Sequence, residues 1–183
     1  MIKRQTLRIL LAILFVVGTP LTMLAGKNIV LKTQEEYYLA SISPNGEWAC
    51  GMYIDYSDNT FGFRWNLITD KVELLSTIDH SEAWGISNEG VVAGNATMSI
   101  GDRAPQTVPA YYKDGKWHML EMPEGNISEG IAYAITPDGK YICGSVVVSG
   151  QYNGYVWNDG KLERTIDGSK GYVMPYCISA NGQ

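Results

Sequence analysis

The sequence is poor in the residues that most often do chemistry. Its 183 residues include two histidines, His80 and His118, and three cysteines, Cys50, Cys143 and Cys177. It has no CxxC pair, no glycine-rich phosphate loop and no basic stripe interleaved with aromatics. The usual signatures of dithiol redox sites, nucleotide loops and nucleic-acid surfaces are therefore missing. Charged residues make up only 18%, few for helices laced with Glu/Lys pairs. Phe is scarce (3), whereas Tyr (12), Trp (5) and Gly (20) are plentiful. That balance is the composition of a turn-rich all-β chain.

The N-terminus differs from the rest. Lys3, Arg4 and Arg8 flank an unbroken apolar run over residues 9–17, and a weaker stretch leads to Ala25-Gly26. Residues 1–26 read as a cleavable export signal. The apolar core is short and followed by Pro20, which argues against an anchor that spans the bilayer. No cysteine follows the run, so lipid attachment is not expected. Removing the three basic residues of this segment from the 14 leaves 11 against 19 acids, a net charge of −8 over residues 27–183. Such a chain is expected to avoid nucleic acid and anionic membranes.

Residues 27–183 form one repeat domain. YLASISPNGEWACG (38–51), EAWGISNEGVVAG (82–94), AYAITPDGKYICG (132–144) and PYCISANGQ (175–183) share a pattern whose isoleucines, Ile42, Ile86, Ile135 and Ile178, lie 44, 49 and 43 apart. Between them lie GFRWNLITDKVELL (62–75), AYYKDGKWHML (110–120) and GYVWNDGKLERTI (154–166). After each isoleucine a Ser or Thr starts a four-residue turn that ends in Gly46, Gly90, Gly139 or Gly182. The hydroxyl can bond the backbone ahead, and the glycine can take positive φ, so a type I turn with a bulge joins two antiparallel strands. The second motif has its own tight turn at Asp114-Gly115, at Asp159-Gly160 and around Thr69-Asp70. One repeat is thus four strands, A to D, with short A–B and C–D turns and longer B–C and D–A connections. Small residues precede each isoleucine (Ser41, Gly85, Ala134, Cys177), as an inner strand near an axis requires. Gly51, Gly94 and Gly144 mark places where a backbone passes closely. Trp65, Tyr112 and Trp157 on strand C suit packing between stacked sheets.

The alternation of A-x-x-I-S-x-x-G-x-x-x-x-G with G-[FY]-x-W-x-x-G resembles the HAF-type repeats of exported bacterial proteins. The second repeat departs from it, with Gly90 and Gly94 one residue closer together and Ala-Tyr-Tyr in place of Gly-aromatic-Trp. The resemblance implies export and a β-propeller, and names no shared catalytic residue. The expected fold is all-β: a partial propeller of four-stranded antiparallel blades, about three and a half in number, forming an open arc. Strand D falls near residues 72–75, 117–120 and 162–166, and a strand over 29–31 is expected to complete a last blade of the ring. A fourth strand A begins at Tyr176, so the chain is expected to be a fragment of a longer protein.

No catalytic, cofactor or metal site is expected. His118 reads as an ordinary strand residue. His80 lies in Thr77-Ile78-Asp79-His80-Ser81-Glu82, where neighbours in sequence cannot assemble a triad. Asp55-Tyr56-Ser57-Asp58-Asn59 lacks the glycine and the distant bidentate Glu of a calcium loop and reads as a solvated turn. Cys50 and Cys143 occupy the same place in two repeats separated by a third, which disfavours a bond between them; all three cysteines read as small buried residues. The D–A and B–C loops, residues 33–37, 56–60, 76–82, 99–107, 123–129, 149–153 and 167–173, are expected on one face around the axis. Their Asp, Glu, Asn, Ser and Tyr suit a cation, a polyol or glycan, or a basic protein surface. The leading functional reading is an exported, non-enzymatic binding or scaffold module with a protein or glycan ligand. The alternatives are the propeller portion of a carbohydrate-active hydrolase or lyase, and a structural spacer of a larger surface protein.

Overall fold

Alternating β-branched and aromatic residues punctuated by Ser/Thr-x-x-Gly and Asp-Gly turns fold into twelve strands among the described residues. The structure, a computed structural model, describes residues 36–75, 79–101 and 104–182. The expected signal over 1–26 and the strand over 29–31 lie outside them. The first sheet is β1(Glu36–Ile42), β2(Trp48–Ile54), β3(Thr60–Asn66) and β4(Lys71–Leu74). The second is β5(Ser81–Ile86), β6(Val92–Met98), β7(Gln106–Lys113) and β8(Lys116–Met119). The third is β9(Ile127–Ile135), β10(Tyr141–Val148), β11(Gln151–Asn158) and β12(Lys161–Ile166). Each is an antiparallel meander in sequence order, which is the A–B–C–D order the repeat predicts.

The turns form as their residues dictate. Gly46, Gly90, Gly139 and Gly182 have φ of +73°, +76°, +76° and +75°, and each donates its N–H to the carbonyl of the turn's first residue. The buried hydroxyls of Ser43, Ser87 and Thr136 accept from the N–H of Trp48, Val91 and Tyr141 at 2.9, 3.1 and 3.0 Å. Asp114-Gly115 and Asp159-Gly160 take positive φ at both residues, the type I′ geometry of two-residue hairpins. One B–C connection is shorter than expected. In the third sheet Ser149 and Gly150, with φ of +51° and +81°, make another two-residue turn, so residues 151–153 belong to β11 rather than to a loop.

Strands β1, β5 and β9 each carry a bulge, at Ala40, Trp84 and Tyr133, where the register slips by one. The bulge explains the strand-B glycines. A Cβ on Gly51, Gly94 or Gly144 would lie 1.8, 1.9 or 2.1 Å from the carbonyl oxygen of Tyr38, Glu82 or Ile131, so no side chain fits there.

Two apolar layers join the sheets. Ile86, Val92, Tyr112 and Trp117 of the second pack with Cys50 and Leu75 of the first; Ile135, Ile142, Tyr155 and Trp157 of the third pack with Val91, Ala93 and Leu120 of the second. Buried indoles also bond across: Trp117 Nε1 donates to the Leu75 carbonyl at 3.3 Å and Trp157 Nε1 to that of Glu121 at 2.8 Å. The first strands of neighbouring sheets touch, and a Cβ on Gly85 would meet the Ala134 backbone at 3.1 Å, so the small inner residues are required there. Trp65 departs from its equivalents. It is half-buried, with its indole bonded to Asp70 in its own hairpin, because its face meets no preceding sheet among the described residues.

Beyond β12 the fourth strand A does not form. The turn from Ser179 to Gly182 is made, and a Cβ on Gly182 would press on the Tyr141 ring as one on Gly90 would on Trp48. Residues 173–179 nonetheless join no ladder, so their backbone groups lack the strand pairing that β1, β5 and β9 have.

Candidate functional site

The loop residues that were expected to converge do so only in part. In the first sheet the loop over 56–60 closes on itself. Asp55 accepts from the Ser57 and Asn59 N–H groups and from Asn59 Nδ2 at 2.8, 3.0 and 2.9 Å, and these donors, the Asn59 side chain first, hold its carboxyl below the usual range. That carboxylate is spent on its own turn. Among the described residues no group of three or more His, Cys, Asp or Glu side chains is gathered for a metal ion. Residues 76–78 and 102–103 lie outside the description.

Three loops around the third sheet do meet. Ser149 N–H donates to the Asn126 carbonyl at 2.7 Å, Gly168 N–H to Asn153 Oδ1 at 2.8 Å and Gln151 Nε2 to the Gly171 carbonyl at 3.1 Å. Tyr152 packs edge-on against Tyr172, ring centroids 5.2 Å apart, and its hydroxyl donates to Glu129 Oε1 at 2.6 Å.

Beside them, at the D–A end of the inner strands, lies a cluster shared by the second and third sheets. Glu82, half-buried near the start of β5, receives Trp84 Nε1 at 2.9 Å and Asn95 Nδ2 at 3.0 Å, both on Oε2. His80 Nε2 stands 3.6 Å from Oε1. His80, then the Trp84 and Asn95 donors, hold the Glu82 carboxyl below its usual range against the opposing effect of burial. Trp84 meets Tyr133 edge-to-face at 6.0 Å, and Tyr133 meets Tyr176 at 4.8 Å. These three rings occupy one position, two residues before the isoleucine, in successive repeats. The bulge turns the first two out of the ladder and toward one another. Burial raises the Tyr133 phenol above its ordinary value, and Tyr176, Glu82 and Glu129 add to that shift.

Sequence reasoning placed Glu82, His80 and Glu129 in loops of the right face and missed Trp84, Tyr133, Tyr176 and Asn95. The signal was present: aligned on the isoleucine, the repeats read Ala40, Trp84, Tyr133 and Tyr176 at this position. His118 behaves as a strand residue, stacked on Tyr111 at 5.0 Å. Of the cysteines, Cys50 and Cys143 are buried, but Cys177, on the segment that joins no ladder, is exposed. A second concavity of about 440 Å³ lies at the outer strands, lined in part by Tyr111, Met119, Met122 and Glu121. Its main polar groups are committed between sheets: the Glu121 carbonyl to Trp157 and its carboxylate to the Leu162 N–H.

No protein-family model and no curated protein matches the sequence. Two solved structures resemble the fold. A prolyl endopeptidase superposes with a TM-score of 0.50 at 10% identity, over 73% of this chain and 22% of that one. TolB from Acinetobacter baumannii superposes with a TM-score of 0.46 at 20% identity, over 67% of this chain and 30% of that one. The chain therefore spans less than a third of the length of either. Both are β-propeller proteins. Three meanders stacked through their inner strands, together with the prolyl endopeptidase likeness, make this chain all-β and propeller-like, with three four-stranded blades among the described residues.

Proposed function

We propose that this chain is an exported, non-enzymatic binding module of propeller blades, built from HAF-type repeats, whose protein or glycan ligand docks at the D–A end of the second and third blades. The observation that carries this reading is the series Trp84, Tyr133 and Tyr176, one ring from each successive repeat, beside the charged Glu82. A core does not need partly exposed rings beside a carboxylate at a loop end, whereas recognition surfaces are enriched in Tyr and Trp. Export rests on the basic residues and apolar run of segment 1–26.

Two measurements test the reading. N-terminal sequencing of protein recovered from the cell envelope or medium should begin near Lys27; intact Met1 in the cytoplasm would refute export. Glycan-array and pull-down capture by the full chain should succeed and should be lost in the Trp84→Ala, Tyr133→Ala double variant. Turnover of a captured polysaccharide would favour a hydrolase or lyase instead, and absence of any ligand would favour a spacer.

A further inference from the structure

We propose that Cys143 and Cys177 are a redox pair, two thiols placed to close a disulfide that pins residues 175–182 onto the third sheet. The inference goes beyond the binding-module reading and needs no ligand. One position of the second strand in each sheet faces the first strand of the next repeat. Cys50 packs in one cluster with Ala83 and Ile86, and Ala93 packs in another with Ala132 and Ile135. Cys143 holds the same position in the third sheet. Its thiol donates to the Pro175 carbonyl at 3.3 Å, and Pro175 is the counterpart of Ala83 and Ala132, three residues before the isoleucine. Two further contacts set the segment against the third sheet in the register of the repeat. The Tyr176 ring lies 4.8 Å from that of Tyr133, and the turn from Ser179 sets Gly182 against the Tyr141 ring. Cys177 lies between these anchors, two residues from the carbonyl that Cys143 holds. The earlier repeats have Gly85 and Ala134 at its position. Of the three interfaces between successive repeats, this one alone carries a thiol on both sides.

The chemistry follows from the two environments. Cys177 is exposed, so its thiolate attacks a small-molecule disulfide such as oxidised glutathione, forms a mixed disulfide and releases one reduced thiol. Cys143 then gives up its proton, attacks Cys177 Sγ, closes the bond and expels the second thiol. The protein loses two protons and two electrons, and the oxidant's disulfide is reduced to two thiols. Closure brings the two Cα atoms within about 7 Å. Residues 173–179 join no ladder, so Cys177 turns toward Cys143 without breaking strand pairing. Burial first, and then the neighbouring Cys177, raise the Cys143 thiol to about 11. Little of it is thiolate near neutral pH, so closure is slow beside the first exchange at Cys177. Oxidants of this class belong to compartments outside the cytoplasm.

The test incubates the full chain near neutral pH with oxidised and reduced glutathione. Remaining thiols are then blocked with N-ethylmaleimide in denaturant, and the tryptic peptides are mapped by mass spectrometry. The expected product is peptide 141–161 joined to peptide 171–183, with Cys50 alkylated and the unblocked chain lighter by two hydrogens. Amides of residues 176–182 should exchange at least about tenfold more slowly in the oxidised protein than in the reduced one. Cys177→Ser, at an exposed position, should abolish the link and leave Cys143 to be alkylated. A lasting glutathione adduct on Cys177 without the link, a Cys177–Cys177 dimer, or a link through Cys50 would overturn the inference. Failure to capture a glycan or protein would count against the binding-module reading alone, and absence of the link against the redox pair alone.

Discussion

Cys50 and Cys143 share one strand-B position and a buried environment, whereas Cys177 stands before Ile178 and is exposed. Burial pushes the Cys50 thiol up to about 12 and the Cys143 thiol to about 11, while Cys177 is exposed. The thiolate is the reactive form, so a disulfide-exchange reagent near neutral pH should label one thiol quickly and the other two only on unfolding. Fast labelling of all three would contradict the packing. The same shifts set a sign for alkaline stability. In the unfolded chain a thiol ionises near its ordinary value of 9.0, whereas folded Cys50 stays neutral. The contribution is intact below about pH 9 and declines by about 1.4 kcal/mol per pH unit between 9 and 12. Cys50→Ala should flatten that decline in denaturation midpoints measured across this range.

At the scale of the element, the inner hairpin is organised by its bulge and its glycine together. Gly94 lies opposite the bulge at Trp84, and a Cβ there would meet the Glu82 carbonyl oxygen at 1.9 Å. Backbone cannot yield as a flexible side chain can, so Gly94→Ala should destabilise the protein by about 3 kcal/mol or more. Gly115→Ala, with nothing within 4 Å of its Cβ but a φ of +79°, should cost only about 1 kcal/mol of backbone strain. Urea denaturation of the two variants checks the order. A Gly94→Ala protein as stable as the unaltered one would mean that the bulge is not held as described. The bulge also directs Trp84 and Tyr133, so ligand binding should suffer with stability at Gly94 and not at Gly115.

Across the whole molecule, stability passes from sheet to sheet through neighbours. Arg64 of β3 forms an ion pair with Glu73 at 2.7 Å and donates to the Gly90 carbonyl at 2.8 Å, and Tyr112 of β7 donates to the same Glu73 at 2.9 Å. The A–B turns are laced together as well: Asn45 N–H donates to Asn88 Oδ1 and Asn88 N–H to the Pro137 carbonyl, both at 2.9 Å. The middle sheet has a neighbour on both sides. The outer faces are different: Ile42 is 61% exposed, whereas its equivalents Ile86 and Ile135 are 2% and 8% exposed, and β12 is exposed along most of its length. With nearest-neighbour coupling of this kind, amide exchange should be slowest in β6 and fastest in β1 and β12. Uniform protection across all twelve strands would instead indicate a single cooperative unit.

Much of this was legible in the sequence because it is local. The Ser/Thr-x-x-Gly and Asp-Gly turns depend on the φ that a few adjacent residues can adopt, and period-2 patterning follows from the pleat; strand order, turn positions and the close approach at Gly51, Gly94 and Gly144 were set there. Which residues became buried depended on what lies across the gap. The equivalent isoleucines Ile42 and Ile86 part company because, among the described residues, only Ile86 packs against a preceding sheet, and Cys177 is exposed on a segment that joins no ladder. The grouping of Glu82, Trp84, Asn95 and Tyr133 belongs to the tertiary level too. It requires two bulges, 49 residues apart in sequence, to turn their side chains toward one another across a blade interface, and no local rule of the chain encodes that distance.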